Sequence, residues 1–306
     1  VVELIKKSQP TLNAKHTYDT EAHHRIAQRI AEGAMVLLKN DDNILPIKAG
    51  QKIAVIGEMA KYPRFQGAGT SVVNPTKLDN AYDCLSALGV NVSYARGYDR
   101  SKDEINNDII NEALELAEST DVVIVFAGLT EEFEAEGYDR KNIEMPNCHN
   151  YLISEIAKVN SNIVVVLAGG SVIHLPWANE VKGILNSSLG GQAGGAAVAN
   201  IITGKVNPSG KTCETYPLTY EDNPTYNNFP GGPVTSEHRE SVYVGYRYYD
   251  TAKKDVLFPF GYGLSYTDFE FGDLHLSSRN LKDDETLTVS FKIKNIGKIV
   301  FINNYI

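Results

Sequence analysis

The chain has 306 residues, of which 42% are hydrophobic and 22% charged, so it can bury the cores of about two domains. Its net charge of -9 and pI near 5.3 argue against nucleic acid or an anionic membrane surface as a partner. The sequence has no apolar run long enough to span a bilayer, and the segment Val1–Lys7 is too short an apolar stretch for a signal peptide.

Strands and helices are predicted to alternate along the first two thirds of the chain. The apolar spacing of residues 20–39, including Ile26, Ile30, Leu37 and Leu38, predicts a helix. Continuous apolar strands separated by helices are typical of a mostly parallel sheet covered on both faces, so the predicted fold is a three-layer α/β sandwich. Further helices are expected at 76–88, at 105–119, at 151–159 and after Gly195 through Ile202, with strands at 52–57, 91–95, 122–127, 163–167 and 181–185.

The glycines at the strand ends do not form a nucleotide-binding pattern. Gly57 follows the first strand, but no G-x-G-x-x-G continues from it. The stretch Gly190–Gly195 indicates a tight turn and close packing of a helix on the sheet rather than a phosphate cradle.

Three scattered cysteines, Cys84, Cys148 and Cys213, show no metal-binding spacing. Cys148 and His149 stand alone ahead of a helical segment, where we expect a surface or capping role. Unpaired cysteines favour a reducing compartment such as the cytoplasm. We expect neither a metal nor a cofactor.

A loop dense in glutamates, 129–140, follows the very apolar strand 122–127. The carboxyl end of such a strand is where open α/β sheets bind ligands. Mutual repulsion among its glutamates is expected to raise the pKa of at least one, and a carboxyl group that keeps its proton can act as a general acid. The alternative is a solvated acidic loop. The glutamates are Glu131, Glu132, Glu134 and Glu136.

The amino-acid composition changes after Asn207, where prolines and aromatic residues become frequent. We expect the aromatics between Tyr243 and Phe271 to pin an irregular segment onto the sheet domain. The alternation in Thr286–Ile293 predicts a strand, with Leu287, Val289, Phe291 and Ile293 on one face. About 40 residues are too few for a β-sandwich, so the chain is expected to stop inside a domain. That exposed strand is expected to aggregate unless the aromatic segment or another chain covers it, which leaves a homo-oligomer open.

Several motifs, in this order, resemble glycoside hydrolase family 3 of the β-glucosidase type over nearly the entire chain. They are Glu21–His24 with Val36–Asn40, Pro63–Ser71, Glu136–Arg140, Gly190–Gly195, Asn207–Lys211 with Tyr216–Pro217, and Phe258–Thr267.

The resemblance implies a domain order in which a (β/α)8 barrel precedes an α/β sandwich and a fibronectin-III-like domain. Residues 1–18 would be a linker and the end of the barrel, 19–218 the α/β sandwich, 219–266 an aromatic-rich irregular region packed on it, and 267–306 a truncated fibronectin-III-like domain. The family's nucleophile, an aspartate of the barrel, and the barrel's sugar-binding residues have no counterpart in this sequence.

The resemblance also implies which side chains act. Glu136 is the implied acid/base, with Glu134 and Glu132 as alternatives. Family members often have Ser-Ser-His where this chain has Thr70-Ser71-Val72. The other implied roles are sugar binding by the hydroxyls of Thr70 and Ser71, lining of the aglycone side by Arg64 and Gln66, and a structural pair formed by Asp139 and Arg140.

The expected function is therefore the acid/base half of a retaining β-glycosidase, most simply a β-glucosidase acting on a β-glucoside or oligosaccharide. The missing barrel would be the partner domain. Two alternatives stay open: a catalytically inert accessory module, and a β-xylosidase or arabinofuranosidase of the same family.

Overall fold

The computed structural model describes residues 1–15, 17–297 and 299, and it is organised around a six-stranded sheet. Residues 298 and 300–306 of the predicted fibronectin-like segment lie outside the described residues. The helices are α1 Val2–Asn13, α2 Thr20–Ala34, α3 Ala81–Ala87, α4 Asn107–Glu118, α5 Asn147–Val159, α6 Gly194–Ile202 and α7 Tyr246–Ala252. The strands are β1 Val36–Asn40, β2 Lys52–Ile56, β3 Asn91–Ala95, β4 Val122–Gly128, β5 Ile163–Ala168, β6 Gly183–Asn186, β7 Tyr216–Pro217, β8 Val256–Phe258, β9 Phe269–Leu276 and β10 Val289–Asn295.

The predicted α/β fold with a mostly parallel sheet is confirmed. The strand order is β1-β6-β5-β4-β2-β3, and only the pairing of β1 with β6 is antiparallel. Helices α2, α3 and α6 pack together, as do α4 and α5. Every residue of the central strand β4 is buried, as expected when helices cover both faces of a sheet.

The predicted helix over 20–39 is wrong in its last five residues. Helix α2 ends at Ala34, and the following residues form the edge strand β1. Met35, Leu37 and Leu38 are all at most 1% exposed, and a run of consecutive buried residues cannot lie on one face of a surface helix. Ile26 and Ile30, two of the apolar positions on which the helix was predicted, are 51% and 67% exposed.

Polar caps explain why another helix begins later than predicted. Helix α3 begins at Ala81 because the side chain of Asn80 accepts a hydrogen bond from the backbone N–H of Asp83 at 2.9 Å. The residues expected in its first turn, 76–80, lie outside it, and Leu78 is 40% exposed.

The expected surface or capping role of Cys148 and His149 is also wrong, because both side chains are buried in α5. The Nδ1 of His149 lies 3.1 Å from the carbonyl oxygen of Gly128, at the end of β4. Burial lowers the pKa of His149 to about 4. His149 therefore belongs to the core beneath the carboxyl edge of the sheet.

The aromatic segment packs on the sheet domain through part of its length. Tyr249 and Phe258 are buried, and the hydroxyl of Tyr266 donates to the carbonyl oxygen of Ile201 at 3.0 Å. Phe258 and Tyr266 thus contact the core of the sheet domain, as predicted, whereas Tyr249 is buried outside that core. Tyr246 and Phe260 remain 42% and 49% exposed.

The region after 267 contains a two-stranded antiparallel ribbon of β9 and β10. The predicted strand is present but begins three residues later, at Val289 rather than Thr286. The apolar face expected of it is largely uncovered, since Val289 and Phe291 are 50% and 48% exposed. Its identity as part of a fibronectin-III-like domain stays a prediction.

Gly128, the last residue of β4, should not tolerate a side chain. Its φ of +152° is rare for other residues, and an added Cβ would lie 1.9 Å from the carbonyl oxygen of Ala168 on β5. We expect Gly128→Ala to lower the free energy of unfolding by more than about 2 kcal/mol. Gly33→Ala is the control, because Gly33 lies exposed in α2 with open space around it. Urea titration should show that this second change stabilises by up to about 1 kcal/mol. Equal effects of the two changes would show that the backbone of β5 leaves room for a side chain at Gly128.

Candidate active site

Loops from neighbouring parallel strands meet at the carboxyl edge of the sheet, as they must in this topology. The loop after β4, here called the acidic loop (residues 129–146), lies against the loop after β2. The backbone N–H of Glu136 donates to the carbonyl oxygen of Ala68 at 3.0 Å. Residues 64–71 and 131–140, far apart in the sequence, therefore share one site.

Glu136 presents an exposed carboxylate that is held by Thr70. The backbone N–H of Thr70 donates to Glu136 Oε2 at 2.6 Å, and the Thr70 hydroxyl donates to the same oxygen at 2.5 Å. The side-chain and then the backbone hydrogen bond lower the pKa of Glu136. A raised pKa, expected from the crowding of glutamates, is therefore wrong for Glu136 in this chain.

Gly69 makes this arrangement possible. Its φ is +118°, and a Cβ at this position would lie 2.6 Å from the Cβ of Glu136. Only a residue without a side chain lets the loop after β2 approach Glu136 closely enough for Thr70 to bind it.

Glu134 is directed inward and holds the acidic loop in place. Its carboxylate accepts hydrogen bonds from Arg64 at 2.9 Å, from the backbone of Gly170 at 2.9 Å and from the hydroxyl of Ser171 at 2.6 Å. Burial would raise the pKa of Glu134, but the hydrogen bonds from Ser171 and Gly170 and the charge of Arg64 outweigh it and lower the pKa. We call these four residues the Glu134 latch.

Arg64 has no exposed side-chain surface. Besides Glu134 Oε2, its guanidinium donates to the carbonyl oxygens of Leu129 at 3.0 Å and Glu134 at 2.8 Å. This geometry favours a role in holding the loop; contact of Arg64 with an aglycone stays a prediction.

Gln66 closes the loop that carries Thr70 and Ser71. Its side-chain amide donates to the carbonyl oxygen of Val73 and accepts from the N–H of Val73, both at 3.0 Å. Ser71 is exposed on this loop beside Thr70. The structure thus brings Thr70 and Ser71 to the site, whereas Gln66 holds their loop through the backbone of Val73.

Two glutamates of the acidic loop, Glu131 and Glu132, differ in their contacts. Glu131 forms an ion pair with Arg100 and accepts a hydrogen bond from Tyr138 at its backbone oxygen. Glu132 is exposed and has no side-chain partner in the part of the chain that the structure describes. It resembles the solvated carboxylate of the alternative interpretation.

The expected pair of Asp139 with Arg140 is wrong. Arg140 does hold the acidic loop, but through the hydroxyl of Ser171 at 2.8 Å and the carbonyl oxygens of Val172 at 2.7 Å and Glu144 at 3.1 Å. Asp139 is exposed. Backbone carbonyls converge where the loop turns back, and they satisfy the guanidinium without a carboxylate.

Sequence reasoning missed Gly170 and Ser171, which follow β5. The signal was a pair of glycines, Gly169 and Gly170, at the end of an apolar strand, which places a loop at the same edge of the sheet. Within the described residues, His, Cys, Asp and Glu form no group of three or more that could hold a metal, and no helix is long and apolar enough to cross a membrane.

Comparison with known proteins places this geometry in a family. The profile described as the Glycosyl hydrolase family 3 C-terminal domain matches residues 35–266. The chain is 48% identical over 285 residues to Thermostable beta-glucosidase B of Acetivibrio thermocellus, covering 92% of this chain and 38% of that protein. It is 41% identical over 310 residues to an Exo-alpha-(1->6)-L-arabinopyranosidase of Bifidobacterium breve, covering 98% and 41%. The crystal structure of a family 3 β-glucosidase from Bifidobacterium adolescentis has a TM-score of 0.91 and 43% identity, covering 96% and 43%.

The fold is that of the α/β domain of a glycoside hydrolase, and the acidic loop lies within the matched residues. The chain belongs to glycoside hydrolase family 3 and contains that family's C-terminal domain. It spans about two fifths of the length of the relatives that it matches.

The Glu134 latch predicts an acid-sensitive contribution to stability. Glu134→Gln leaves the buried guanidinium of Arg64 without a charged partner, so we expect a loss of about 2–3 kcal/mol at pH 7. Because the folded state lowers the pKa of Glu134 from 4.5, this contribution is complete above about pH 4.5 and is lost as the pH falls through the lower folded-state value.

Urea unfolding between pH 7 and pH 3.5 measures this contribution as the difference between the wild type and Glu134→Gln. The difference should shrink as the pH falls. Glu132→Gln, on the same loop but exposed, should change the free energy of unfolding by less than about 0.5 kcal/mol at any of these pH values. A difference for Glu134→Gln that does not depend on pH would show that the ion pair is not its source.

Proposed function

We propose that this chain supplies the acid/base carboxylate of a retaining β-glycosidase, and that Glu136 is this residue. The observation that carries the proposal is the placement of Glu136 at the carboxyl edge of the sheet, exposed and fixed by Thr70. The carboxylate of Glu134 is bonded to Arg64, Gly170 and Ser171, and Glu132 has no contact with the described residues that would orient it. Membership of family 3 supports the same assignment.

The chemistry requires a second carboxyl group about 5–5.5 Å from the first, across the glycosidic bond. One carboxylate attacks the anomeric carbon while the other protonates the leaving oxygen, and the second group then takes a proton from the attacking water. We infer that the nucleophile belongs to a barrel domain, the part of family members that this chain does not span.

The low pKa of Glu136 suits the second half of this reaction. A carboxylate held by two donors from Thr70 is ionised at neutral pH and ready to act as a base. The acid half needs a proton on Glu136. Burial beneath the substrate and the nearby negative nucleophile would both raise its pKa, because each disfavours the ionised form.

The β-glucosidase assignment follows the name of the Acetivibrio thermocellus relative, at 48% identity. An arabinopyranosidase is the second candidate, because a protein of that name is 41% identical over almost the whole chain. The choice between the two sugars would then depend on the part of these relatives that this chain does not span. Hydrolysis by the intact protein of 4-nitrophenyl β-D-glucoside against the α-L-arabinopyranoside separates the two.

The 306-residue chain alone should not hydrolyse any aryl glycoside, because it lacks the proposed nucleophile. Release of 4-nitrophenol at the uncatalysed rate is the expected result. Replacing the matching segment of the Acetivibrio thermocellus β-glucosidase with this chain should restore hydrolysis. If the purified chain itself turns over 4-nitrophenyl β-D-glucoside, the division of the active site between two domains is wrong. If the fusion folds but stays inactive, the inert-module alternative is favoured.

In that fusion, Glu136→Ala should separate the two halves of the reaction. Cellobiose, whose leaving group needs a proton, should lose about 100-fold or more in kcat/KM. Dinitrophenyl β-glucoside, which leaves without a proton, should still form the glycosyl-enzyme. Added azide needs no base to attack that intermediate, so it should restore turnover and yield the β-glucosyl azide.

Glu132→Ala is the matched control, because it removes an exposed carboxylate from the same loop. It should leave cellobiose hydrolysis unchanged and show no response to azide. Azide rescue of Glu132→Ala, with wild-type behaviour of Glu136→Ala, would move the assignment to Glu132.

A further inference from the structure

A cleft of about 630 Å³ opens beside the acidic loop, and we call it the aromatic cleft. Arg140 and Ser171 form part of its wall, and segments 213–217 and 240–249 form others. Ser171 also donates to Glu134 in the latch, so the cleft adjoins the acidic loop, which contains Glu136. Thr70 and Glu136 do not line it.

Glu240 places a buried carboxylate in the aromatic cleft. Its side chain is 11% exposed, and its Oε2 is buried without a hydrogen-bond partner among the described residues. Among the described residues, the one basic side chain within 4.0 Å of it is His238, whose Nδ1 lies 3.9 Å from Oε1 and whose side chain is 86% exposed. A buried carboxylate is costly unless a cation or several donors meet it.

The other charges of the cleft do not compensate Glu240. Arg140 already donates to Ser171, Val172 and Glu144, and its guanidinium is therefore committed. Glu214 adds a second carboxylate, which is exposed and interacts electrostatically with Arg140. The cleft thus carries an excess of negative charge.

Flat apolar surfaces lie beside these carboxylates. The rings of Tyr246 and Phe260 stack with centroids 4.9 Å apart and planes 28° apart, and both line the cleft. The hydroxyl oxygen of Thr215, on the same wall, is buried and has no partner in the described part of the chain. A planar guanidinium can stack on an aromatic ring while it donates to a carboxylate through parallel N–H groups, which an ammonium cannot do.

We infer that the aromatic cleft is a socket for an arginine side chain of the barrel domain, an inference that rests on the proposed function. The cleft adjoins the loop that would have to face that domain. Exposed apolar side chains beside it suit a covering polypeptide: Val242, Tyr243 and Val244 are 62%, 48% and 57% exposed. A sugar would offer hydroxyl donors but would leave the carboxylate charge uncompensated.

The 306-residue chain can be tested directly with a small arginine probe. We expect N-acetyl-L-arginine methylamide to bind in an NMR titration at least tenfold more tightly than the uncharged citrulline analogue, which has the same shape. Glu240→Gln should remove this preference. Glu237→Gln, a change to an exposed carboxylate on the same segment, should retain it. Equal binding of the two probes, or an unchanged preference in Glu240→Gln, would overturn the socket.

Two other occupants would each overturn the assignment to the barrel. Displacement of the arginine probe by cellobiose would identify the cleft as a sugar site. A homodimer of the chain that Glu240→Gln dissociates, detected by sedimentation velocity, would identify the occupant as an arginine of a second copy.

Thermal unfolding provides a second test, because the change in Tm caused by Glu240→Gln should have opposite signs in the chain alone and in the fusion. In the chain alone, Glu240→Gln should raise Tm, because it removes an uncompensated buried charge. In the fusion with the barrel of the Acetivibrio thermocellus relative, the same change should lower Tm, because it removes the partner of the inserted arginine. The same sign in both proteins would overturn the socket. Neither measurement depends on turnover, so an inactive fusion would count against the proposed function alone.

Discussion

The buried guanidinium of Arg64 is the constraint on which the site depends. Its side chain has no exposed surface, so its charge must be met from within the protein. Glu134 meets it, and the same carboxylate takes hydrogen bonds from Gly170 and Ser171. One carboxylate thereby ties together the loops that follow β2, β4 and β5.

This constraint fixes Glu136 although Glu136 takes no part in it. Once Glu134 is held, the chain two residues further on must pass Ala68 and Gly69, where its backbone bonds to the loop after β2. Thr70 then contacts the carboxylate of Glu136 through a backbone donor as well as a side-chain donor. A group positioned by backbone contacts keeps its geometry better than one that depends on its own rotamer.

The architecture was predictable because its signal is local. A strand such as β4, buried on both faces, is a continuous apolar run, and the position of the acidic loop follows from the end of that strand. Local patterns could not separate a buried strand from a helix at Leu37 and Leu38. That distinction depends on pairing with β6, where Leu37 lies opposite Leu185, 148 residues further along the chain.

The chemistry of the site was predictable only in part. Counting carboxylates predicted a raised pKa, whereas the contacts of Glu134 and Glu136 lower it. The contacts of Glu134 come from Ser171, Gly170 and Arg64, which are 37, 36 and 70 residues away. Those of Glu136 come from Thr70, which is 66 residues away. No spacing rule within the loop contains that information, because the sign of a pKa shift depends on which donors the fold brings to each oxygen.

The lowered pKa of Glu136 bears on which half of the proposed reaction this domain favours. Thr70 stabilises the ionised carboxylate, which is the form needed to activate water but the wrong form for protonating a leaving group. Under the proposed function, the contacts within this domain therefore favour the second half of the reaction. If Glu136 is the acid/base, the forces that place a proton on it must come from burial and negative charge on the facing domain. Protonation of Glu136 would then report that the two domains and the substrate are assembled, and the isolated domain would remain in the form that cannot begin the reaction.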